Sequence, residues 1–501
     1  MGRPMGAGRG TLSVAAGLVL VALATVGYAL PPAFDPPPLQ VDPAFRAVPA
    51  QPREELRPVM AAGPIRTQQL TIAAEGQNLE GTIRVPTTPG PHPAMVFVSG
   101  SGNGSREEFT PQADFLARAG VVTLAFDKRT VGYNFRDRDF GLLADDALRW
   151  VRLLRGRADV DPARVGLWGV SEGGWVVPIA AARSSDVGFA VLVSSPNVSP
   201  LRQVAWALNE QLVRLRAPIG ARDLLTRAMG GVGFDFLRYD AMPALRQVKQ
   251  PVLALYGTTD PSIPFVESTR ALTTALEEAG NNRYTIRFMD RGDHAIRVGG
   301  GPFAPGYLET LANWLTGLPR TATPAVHLAG ATPVQRFEAA DVPAAPWYAG
   351  GTVLGLTICL AAVGYVAGPF AEMVIRLRGR RRTPAETTAK LWPPIRRRLN
   401  RMAWTGLGLL VSVIGFIMLL VLFSINQAGA WPAVLAGWLL VRALAVLMLI
   451  QEVTAVAAMV SALREGLQPT RGQHVAMAGV VGGTGLLLVA AAYYGLFSFP
   501  W

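Results

Sequence analysis

Long apolar runs stand towards the two ends of the chain, whereas the middle contains only short ones. The long runs are Leu12–Leu30, Trp347–Gly368, Ala403–Ser424, Val434–Val460 and Val475–Phe497. Each is long enough to cross a bilayer as a helix. The first run also fits a cleaved secretory signal with Ala22-Leu23-Ala24 as its small-residue site. Because this run is longer than a usual signal core, it favours an uncleaved anchor, and the other four predict a C-terminal membrane region.

Between these runs, short apolar stretches alternate with helix-like stretches, which is typical of an α/β fold. The predicted strands are Leu70–Ile72, Gly81–Val85, Met95–Val98, Val121–Phe126, Val165–Trp168, Phe189–Val193, Val252–Tyr256 and Tyr284–Met289. Near-continuous apolar strands separated by helices indicate a mostly parallel sheet covered by helices on both faces. The first two strands predict an antiparallel hairpin that opens the sheet. One covering helix is predicted from the spacing of Leu143, Ala147, Val151 and Leu154, and the last from Leu308–Leu315.

Composition divides the chain into five parts. These are an anchor or signal at residues 1–30, a Pro-rich linker at 31–64, the α/β domain at 65–318, a Pro/Ala linker at 319–346 and the membrane region at 347–501. Residues 197–250 lie between two predicted strands and mix helix-like stretches with glycines. This insertion is interpreted either as a small lid over a substrate pocket or as a structural insertion without substrate contact.

Positive charge is concentrated beside the apolar runs. The net charge is +12, and the segment Pro369–Met402 holds ten Lys/Arg against two Glu. Such a block beside membrane segments is typical of a cytoplasmic flank rather than of a nucleic-acid site. The positive-inside rule places the N-terminus and this segment inside, and residues 31–346 and the uncharged turn Asn426–Trp431 outside. We therefore expect a multi-pass protein of the cytoplasmic membrane with its α/β domain on the outer side.

Cysteine and histidine usage argues against disulfide and metal chemistry. Cys359 is the single cysteine, so neither an intrachain disulfide nor a Cys-based zinc site is possible. The four histidines, His92, His294, His327 and His474, are far apart and have no ligand spacing. We expect no metal and no other cofactor.

The strongest chemical signal is a G-x-S-x-G motif between a strand and a helix. Val165–Trp168 runs directly into Gly169-Val170-Ser171-Glu172-Gly173-Gly174, and an apolar helix begins near Trp175. In this context the tight turn lifts a serine hydroxyl above the sheet edge and aims backbone N–H groups at the same point. The motif predicts Ser171 as a nucleophile, whereas a Gly/Ser-rich turn without chemistry is the alternative.

A nucleophilic serine needs a base, and the base needs an orienting carboxylate. Of the histidines after Ser171, His327 lies in a linker and His474 at a membrane face, which leaves His294, in the loop after the last strand, as the candidate base. Asp260 follows the strand Val252–Tyr256 and is the candidate acid. A turn-forming Asp before Pro is the alternative interpretation of Asp260. Asp290 and Asp293 are rival acids, although they share the loop of His294.

Two backbone amides are predicted to stabilise the oxyanion of a tetrahedral intermediate. One is the N–H of Glu172, directly after the nucleophile. The other is assigned to Ser101, in the Gly-rich loop Ser99–Gly104 after the first central strand. A phosphate-binding loop is disfavoured here, because the loop lacks both the Gly-Lys-Ser/Thr ending and the GxGxxG frame. A further cluster, Asp127–Arg129, is predicted to fix neighbouring loops by ion pairing rather than to touch substrate.

Together these motifs resemble the α/β-hydrolase superfamily, in the branch near dienelactone hydrolases, bile-acid/acyl-CoA thioester hydrolases and serine aminopeptidases. The matching segments, in the order of the family, are Val98–Gly102, Phe126–Arg129, Gly169–Gly174, Leu255–Asp260 and Asp293–His294. The likeness covers about residues 65–318 and not the membrane region. The family usually has His-Gly where this chain has Ser99-Gly100, and commonly has Gly in place of Thr130.

The resemblance implies an α/β-hydrolase fold and a Ser171–His294–Asp260 acyl-enzyme mechanism on a small-molecule ester or thioester. Serine aminopeptidases share the motifs, so a peptidase is an alternative, although no acidic pair for binding an amine is evident. A second alternative is a membrane transport or sensor protein that uses the hydrolase fold for binding, since fold does not guarantee activity. The expected partners are the substrate and the lipid bilayer, and no nucleic acid.

Overall fold

The structure is a computed structural model that describes residues 9–61, 63–231, 234–377, 386–426 and 431–499. The chain folds into two compact units. One, here called the sheet unit, comprises Pro36–Glu210 and Phe234–Asp341. The other, here called the helical unit, comprises Met1–Asp35, Gln211–Gly233 and Val342–Trp501.

The sheet unit is built on one mixed, mostly parallel sheet. Its strands are β1 Ile65–Ala74, β2 Gln77–Pro86, β3 His92–Val98, β4 Val122–Phe126, β5 Val160–Val170, β6 Ala190–Val193, β7 Val252–Gly257, β8 Tyr284–Met289 and β9 Leu328–Gly330. Their order across the sheet is β1-β2-β4-β3-β5-β6-β7-β8-β9. Strand β2 pairs antiparallel with β1 and with β4, and the remaining pairs are parallel. This architecture confirms the predicted fold class and the opening hairpin.

Helices cover both faces of the sheet. The helices of the chain are α1 Arg9–Ala29, α2 Pro43–Arg46, α3 Thr110–Arg118, α4 Phe140–Arg155, α5 Gly173–Arg183, α6 Pro200–Arg214, α7 Ile219–Gly230, α8 Met242–Leu245, α9 Phe265–Glu278, α10 Tyr307–Gly317, α11 Gly351–Leu377, α12 Glu386–Asn426, α13 Trp431–Arg464 and α14 Arg471–Tyr493. Side chains that alternate along β3 enter two different cores. Val96 packs with residues of α4, α5 and α9, whereas Met95 and Phe97 pack with residues of α3 and α10. The predicted face of α4 is buried as expected.

Both segments that were predicted as linkers contribute to the sheet unit. Strand β9, from the second segment, pairs with β8 at the sheet edge. In the first segment, Glu55 holds Arg287 of β8 through two hydrogen bonds, from Nε to Oε2 at 2.6 Å and from Nη2 to Oε1 at 2.5 Å. The Arg287 side chain is fully buried, so it needs this partner. The sequence did not predict these contacts, because the proline-rich segments have no regular spacing of apolar residues.

Among the described residues, the helical unit contains five helices that are long and apolar enough to cross a membrane. The candidate spans are Leu12–Ala29, Gly351–Ala371, Thr387–Leu422, Trp431–Arg464 and Arg471–Tyr493. They match the five predicted apolar runs in number and position. Residues 1–8, part of the basic segment (378–385) and most of the uncharged turn (427–430) lie outside the described residues. Helices α11 and α14 approach closely where Gly364 faces Gly479, because a Cβ on Gly364 would lie 2.3 Å from the Gly479 carbonyl oxygen.

Helix α7, from the predicted insertion, belongs to the helical unit rather than to the sheet unit. Gly220 lies against the ring of Trp438 in α13, where a Cβ would come within 2.5 Å of it. Arg227 donates from Nη1 to the carbonyl oxygen of Tyr493 in α14 at 2.8 Å. The polypeptide between β6 and β7 therefore supplies part of the helical unit, a packing that the insertion's sequence pattern did not predict.

Candidate active site

The predicted nucleophile sits on a strained turn between β5 and α5. Ser171 has φ of +53°, a conformation that non-glycine residues adopt rarely. The turn is possible only with glycine at two positions. A Cβ on Gly169 would lie 2.4 Å from the Gly173 carbonyl oxygen, and one on Gly173 would lie 2.5 Å from that of Val98. The structure thus places Ser171 at the carboxyl end of the central strand, in the turn that the motif predicts.

Asp260 and His294 meet at the same edge of the sheet. Asp260 follows β7 and is almost completely buried, and His294 follows β8 with its side chain about 33% exposed. The carboxylate oxygen Oδ2 of Asp260 accepts a hydrogen bond from Nδ1–H of His294 at 2.9 Å. The second oxygen, Oδ1, accepts from the backbone N–H of Ser262 at 2.7 Å. Asp260 is therefore held on both oxygens and leaves Nε2 of His294 available.

Close contact between two loops makes this pairing possible. The backbone N–H of Thr259 donates to the Gly292 carbonyl oxygen at 3.0 Å. At Gly257 a Cβ would lie 2.2 Å from the same oxygen. Because glycine occupies this position, the loops after β7 and β8 touch through their backbones, which brings Asp260 to His294.

The rival acids serve other partners. Asp293 accepts backbone N–H groups within its own loop, from Ala295 at 2.9 Å and from Arg297 at 2.8 Å. Asp290 is exposed and lies 3.4 Å from the guanidinium of Arg291. Neither contact positions the imidazole, whereas that of Asp260 does.

The electrostatic surroundings of His294 favour its protonated form. Burial lowers the pKa of this imidazole, but the charge and hydrogen bond of Asp260 and the charge of Asp293 outweigh burial and raise it above its ordinary value. The hydrogen bonds of the described residues do not include one between the Ser171 hydroxyl and His294. In unliganded hydrolases such bonds often tighten only when substrate binds.

One of the two amides predicted for the oxyanion belongs to the nucleophile turn itself, and the other to a neighbouring loop. The loop of Ser101 passes close to Ser171, since a Cβ on Gly100 would lie 3.3 Å from the Ser171 Cβ. Within the described residues, the N–H groups of Ser101 and Glu172 donate no hydrogen bond to the protein. Two free donors beside a serine hydroxyl are suited to an oxygen that acquires negative charge.

The sequence did not single out the surroundings of the Glu172 side chain. This carboxylate is almost completely buried and accepts three hydrogen bonds. The donors are Lys128 Nζ at 2.8 Å, the Tyr133 hydroxyl at 2.7 Å and Arg138 Nη1 at 2.6 Å. The predicted ion pairing of Lys128 is confirmed, but its partner follows the nucleophile directly. No spacing in the sequence identifies that partner.

The neighbours of Lys128 are paired as well. Asp127 accepts from Arg106 Nη1 at 2.5 Å, and Arg129 donates from Nε to Asp146 at 2.7 Å. These pairs confirm the prediction that the cluster fixes neighbouring loops. As for metal binding, no group of three or more His, Cys, Asp or Glu side chains in the described part of the chain is placed to hold an ion.

The chain is similar to several known hydrolases and to one uncharacterised protein. Residues 108–317 match the model of the prolyl oligopeptidase family. Esterase EstD of Thermotoga maritima is 32% identical over 254 residues, 45% of this chain, and the chain covers only 60% of the length of EstD. An uncharacterised protein of Mycobacterium tuberculosis is 29% identical over 238 residues, 45% of this chain and 75% of that protein. A solved dienelactone hydrolase of Anabaena variabilis superposes with a TM-score of 0.35 at 21% identity, covering 50% of this chain and 96% of that one.

Proposed function

We propose that the chain is a membrane-anchored serine hydrolase of the α/β-hydrolase type that cleaves a carboxylic ester or thioester, a proposal that its similarity to a peptidase family and to an esterase supports. The observation that carries this proposal is the Asp260–His294 hydrogen bond at the sheet edge where the strained Ser171 turn ends. A buried carboxylate, an imidazole and a serine on a nucleophile turn are the parts that acyl transfer requires.

In the proposed reaction, Nε2 of His294 takes the proton of the Ser171 hydroxyl as the serine oxygen attacks the substrate carbonyl carbon. The carbonyl oxygen becomes an oxyanion, to which the N–H groups of Ser101 and Glu172 donate. His294 then gives its proton to the leaving alcohol or thiol, and the acyl group stays on Ser171. Water then attacks the carbonyl carbon of this acyl-enzyme while His294 takes a proton from the water. His294 returns the proton to the serine oxygen, which releases a carboxylic acid and restores Ser171. Asp260 orients the imidazole and stabilises its positive charge.

An ester or thioester is preferred over a peptide for two reasons. The relative with 32% identity is named an esterase, and no acidic pair for binding an amine terminus is evident in the sequence. The matching family model is that of the prolyl oligopeptidases, which makes a peptide or aminoacyl amide the alternative substrate.

Membrane anchoring is proposed from the five apolar helices together with the distribution of positive charge. The positive-inside rule assigns the basic flank Pro369–Met402 and the N-terminal arginines to the cytoplasm. Residues 31–346 are then on the opposite, outer side of the membrane. Water is then available on the side of the active site.

Labelling with a fluorophosphonate probe tests the proposed nucleophile directly. Membranes that contain the wild-type protein are expected to label, and those that contain Ser171→Ala are not. Labelling that persists in Ser171→Ala would place the nucleophile elsewhere, and an unlabelled wild type would favour a binding or sensor protein. Purified protein is then assayed on esters of graded chain length, acyl-CoA thioesters and aminoacyl amides, and a clear preference for the amides would replace the esterase by the peptidase.

A further inference from the structure

The two amides of the proposed oxyanion hole belong to segments that are tied together by one buried polar cluster. The cluster consists of Glu172, Lys128, Tyr133 and Arg138, and we call it the Glu172 cluster. Lys128 and Glu172 have side chains that are 4% and 1% exposed. Because a buried carboxylate and a buried ammonium group are unstable alone, their mutual contact holds both segments in one arrangement.

Lys128 reaches past Glu172 to the oxyanion loop. Its Nζ donates to the carbonyl oxygen of Gly100. This carbonyl and the N–H of Ser101 belong to the same peptide unit, which is planar and trans, so the two groups point in opposite directions. A lysine that holds the Gly100 oxygen therefore fixes the direction in which the Ser101 N–H points.

Tyr133 holds the other side of the same residue. Its hydroxyl oxygen accepts the backbone N–H of Gly102 at 3.2 Å, while its hydrogen goes to Glu172 Oε1 at 2.7 Å. Burial raises the pKa of this phenol, with the charge of Glu172 acting in the same sense, so the hydroxyl keeps the proton that it donates. Ser101 is thus clamped through both of its neighbours.

Arg138 is the third partner of the Glu172 carboxylate and the most exposed member of the cluster. It donates to the second oxygen, Oε2, at 2.6 Å, and its guanidinium lies 5.7 Å from the centre of the Tyr133 ring. Both carboxylate oxygens of Glu172 are then occupied, and the side chain cannot turn without breaking a contact to a cation. The backbone N–H of Glu172 is the second predicted oxyanion donor, so one residue supplies a donor and anchors the other.

We propose that Lys128 and Tyr133 are positioning residues that aim the Ser101 N–H at the oxyanion, with the Glu172 side chain as their common anchor. This inference rests on the proposed hydrolase function. It predicts that the cluster acts on the transition state and not on substrate binding, because only the transition state carries the full negative charge.

The test compares kcat and KM for Tyr133→Phe and for the double variant Lys128→Met/Glu172→Gln with a short-chain ester. The double variant removes the charges of Lys128 and Glu172 together, so neither stays buried without the other. Arg138 loses its carboxylate, but its side chain is 19% exposed and keeps contact with water. We expect kcat to fall by a factor on the order of 10 to 1,000 with KM changed less than about threefold, as for the loss of one oxyanion donor. Affinity for a boronic acid, which mimics the tetrahedral intermediate, falls by a similar factor, whereas affinity for the carboxylic acid product changes little. Lys128→Arg, which keeps a cationic donor at this position, is expected to retain much of kcat.

The neighbouring buried pair Arg129–Asp146 is the matched control, since both of its side chains are 2% exposed. Besides Asp146, the Arg129 guanidinium binds the carbonyl oxygens of Val131 and Glu75, which lie outside the loop Ser99–Gly104. Arg129→Met/Asp146→Asn is expected to lower Tm while leaving kcat close to that of the wild type. Variants of the Glu172 cluster that have a lower Tm but an unchanged kcat would overturn the inference. It would also be overturned if their kcat fell no further than that of the control. If the wild type itself hydrolyses no ester, thioester or amide, the proposed function fails instead.

Discussion

Asp260 and His294 are 34 positions apart in the chain, and yet their side chains are joined by a hydrogen bond of 2.9 Å. The contact exists because β7 and β8 are neighbouring parallel strands whose following loops leave the same edge of the sheet. It selects one nitrogen of the imidazole for the carboxylate and leaves the other for a serine proton. Several predictions of activity depend on this relationship.

Ser171→Ala removes the proposed attacking oxygen. We expect kcat for ester hydrolysis to fall by a factor on the order of 10⁴ to 10⁶, measured with purified protein in detergent. Ser185→Ala, at an exposed position of the sheet unit, is the control and is expected to behave as wild type. A Ser171→Ala variant with more than a few per cent of wild-type activity would contradict the assignment.

Asp260→Asn is expected to lower kcat by a factor on the order of 10⁴, because an amide can favour the wrong tautomer of the histidine. Asp290→Asn should leave activity unchanged, since that carboxylate is exposed and contacts only Arg291 among the ion pairs of the described residues. Steady-state kinetics on both variants distinguish the two acids. Equal losses in the two would show that the acid has been misassigned.

Activity should depend on pH through His294. The imidazole accepts a proton only when it is neutral, and its pKa is raised above the ordinary value of 6.5 by Asp260 and Asp293 despite burial. A raised pKa means that kcat/KM falls as the pH drops through a value above 6.5. In Asp260→Asn the largest favourable charge is lost, so the acidic limb of the profile should move to lower pH. If the acidic limb stays at the same pH, Asp260 does not raise the pKa that controls activity, which contradicts this prediction.

Glu55 should be important for stability rather than for chemistry. Glu55→Ala leaves the fully buried guanidinium of Arg287 without its carboxylate, and loss of one partner of a buried pair is expected to lower the free energy of unfolding by about 3 to 5 kcal/mol. Glu54→Ala, at the exposed neighbouring position, is the control. Thermal unfolding measures both, and the additional change Arg287→Met should recover part of the loss. Equal Tm values for the two single variants would refute this role.

Sidedness can be tested with single cysteines in a Cys359→Ala background. In intact cells, Glu54→Cys is expected to react with a membrane-impermeant maleimide, because residues 31–346 are placed outside. Arg397→Cys, in the basic flank, should react only after the cells are opened. The reverse pattern would show that the proposed topology is inverted. Reaction of both cysteines in intact cells would show that both positions lie outside, which contradicts the proposed set of spans.

Local pattern predicted the long apolar helices, strands β1 to β8 and the nucleophile turn, and it proposed the three side chains of the triad. The alternation of apolar strands and helices, the glycines around Ser171 and the elimination of the other histidines are all properties of short stretches of chain. Parallel strands deliver the loops of Ser171, Asp260 and His294 to one edge of the sheet, so the placement of these loops follows from the fold class. The Glu172 cluster was not predictable in this way, because Lys128, Tyr133 and Arg138 reach the carboxylate from 34 to 44 positions away in the chain.

By itself, the sequence determined the α/β sheet, the nucleophile turn and the five apolar helices, since backbone conformation and burial follow from spacing and residue type within each segment. Only the tertiary structure decided that Glu55 neutralises Arg287, that β9 extends the sheet, that α7 packs in the helical unit and that the Glu172 carboxylate pairs with Lys128 and Arg138. Each of these depends on which polar or small side chains meet across large separations in the chain. Such meetings are set by packing and by the need to pair buried charges, and no local period encodes them.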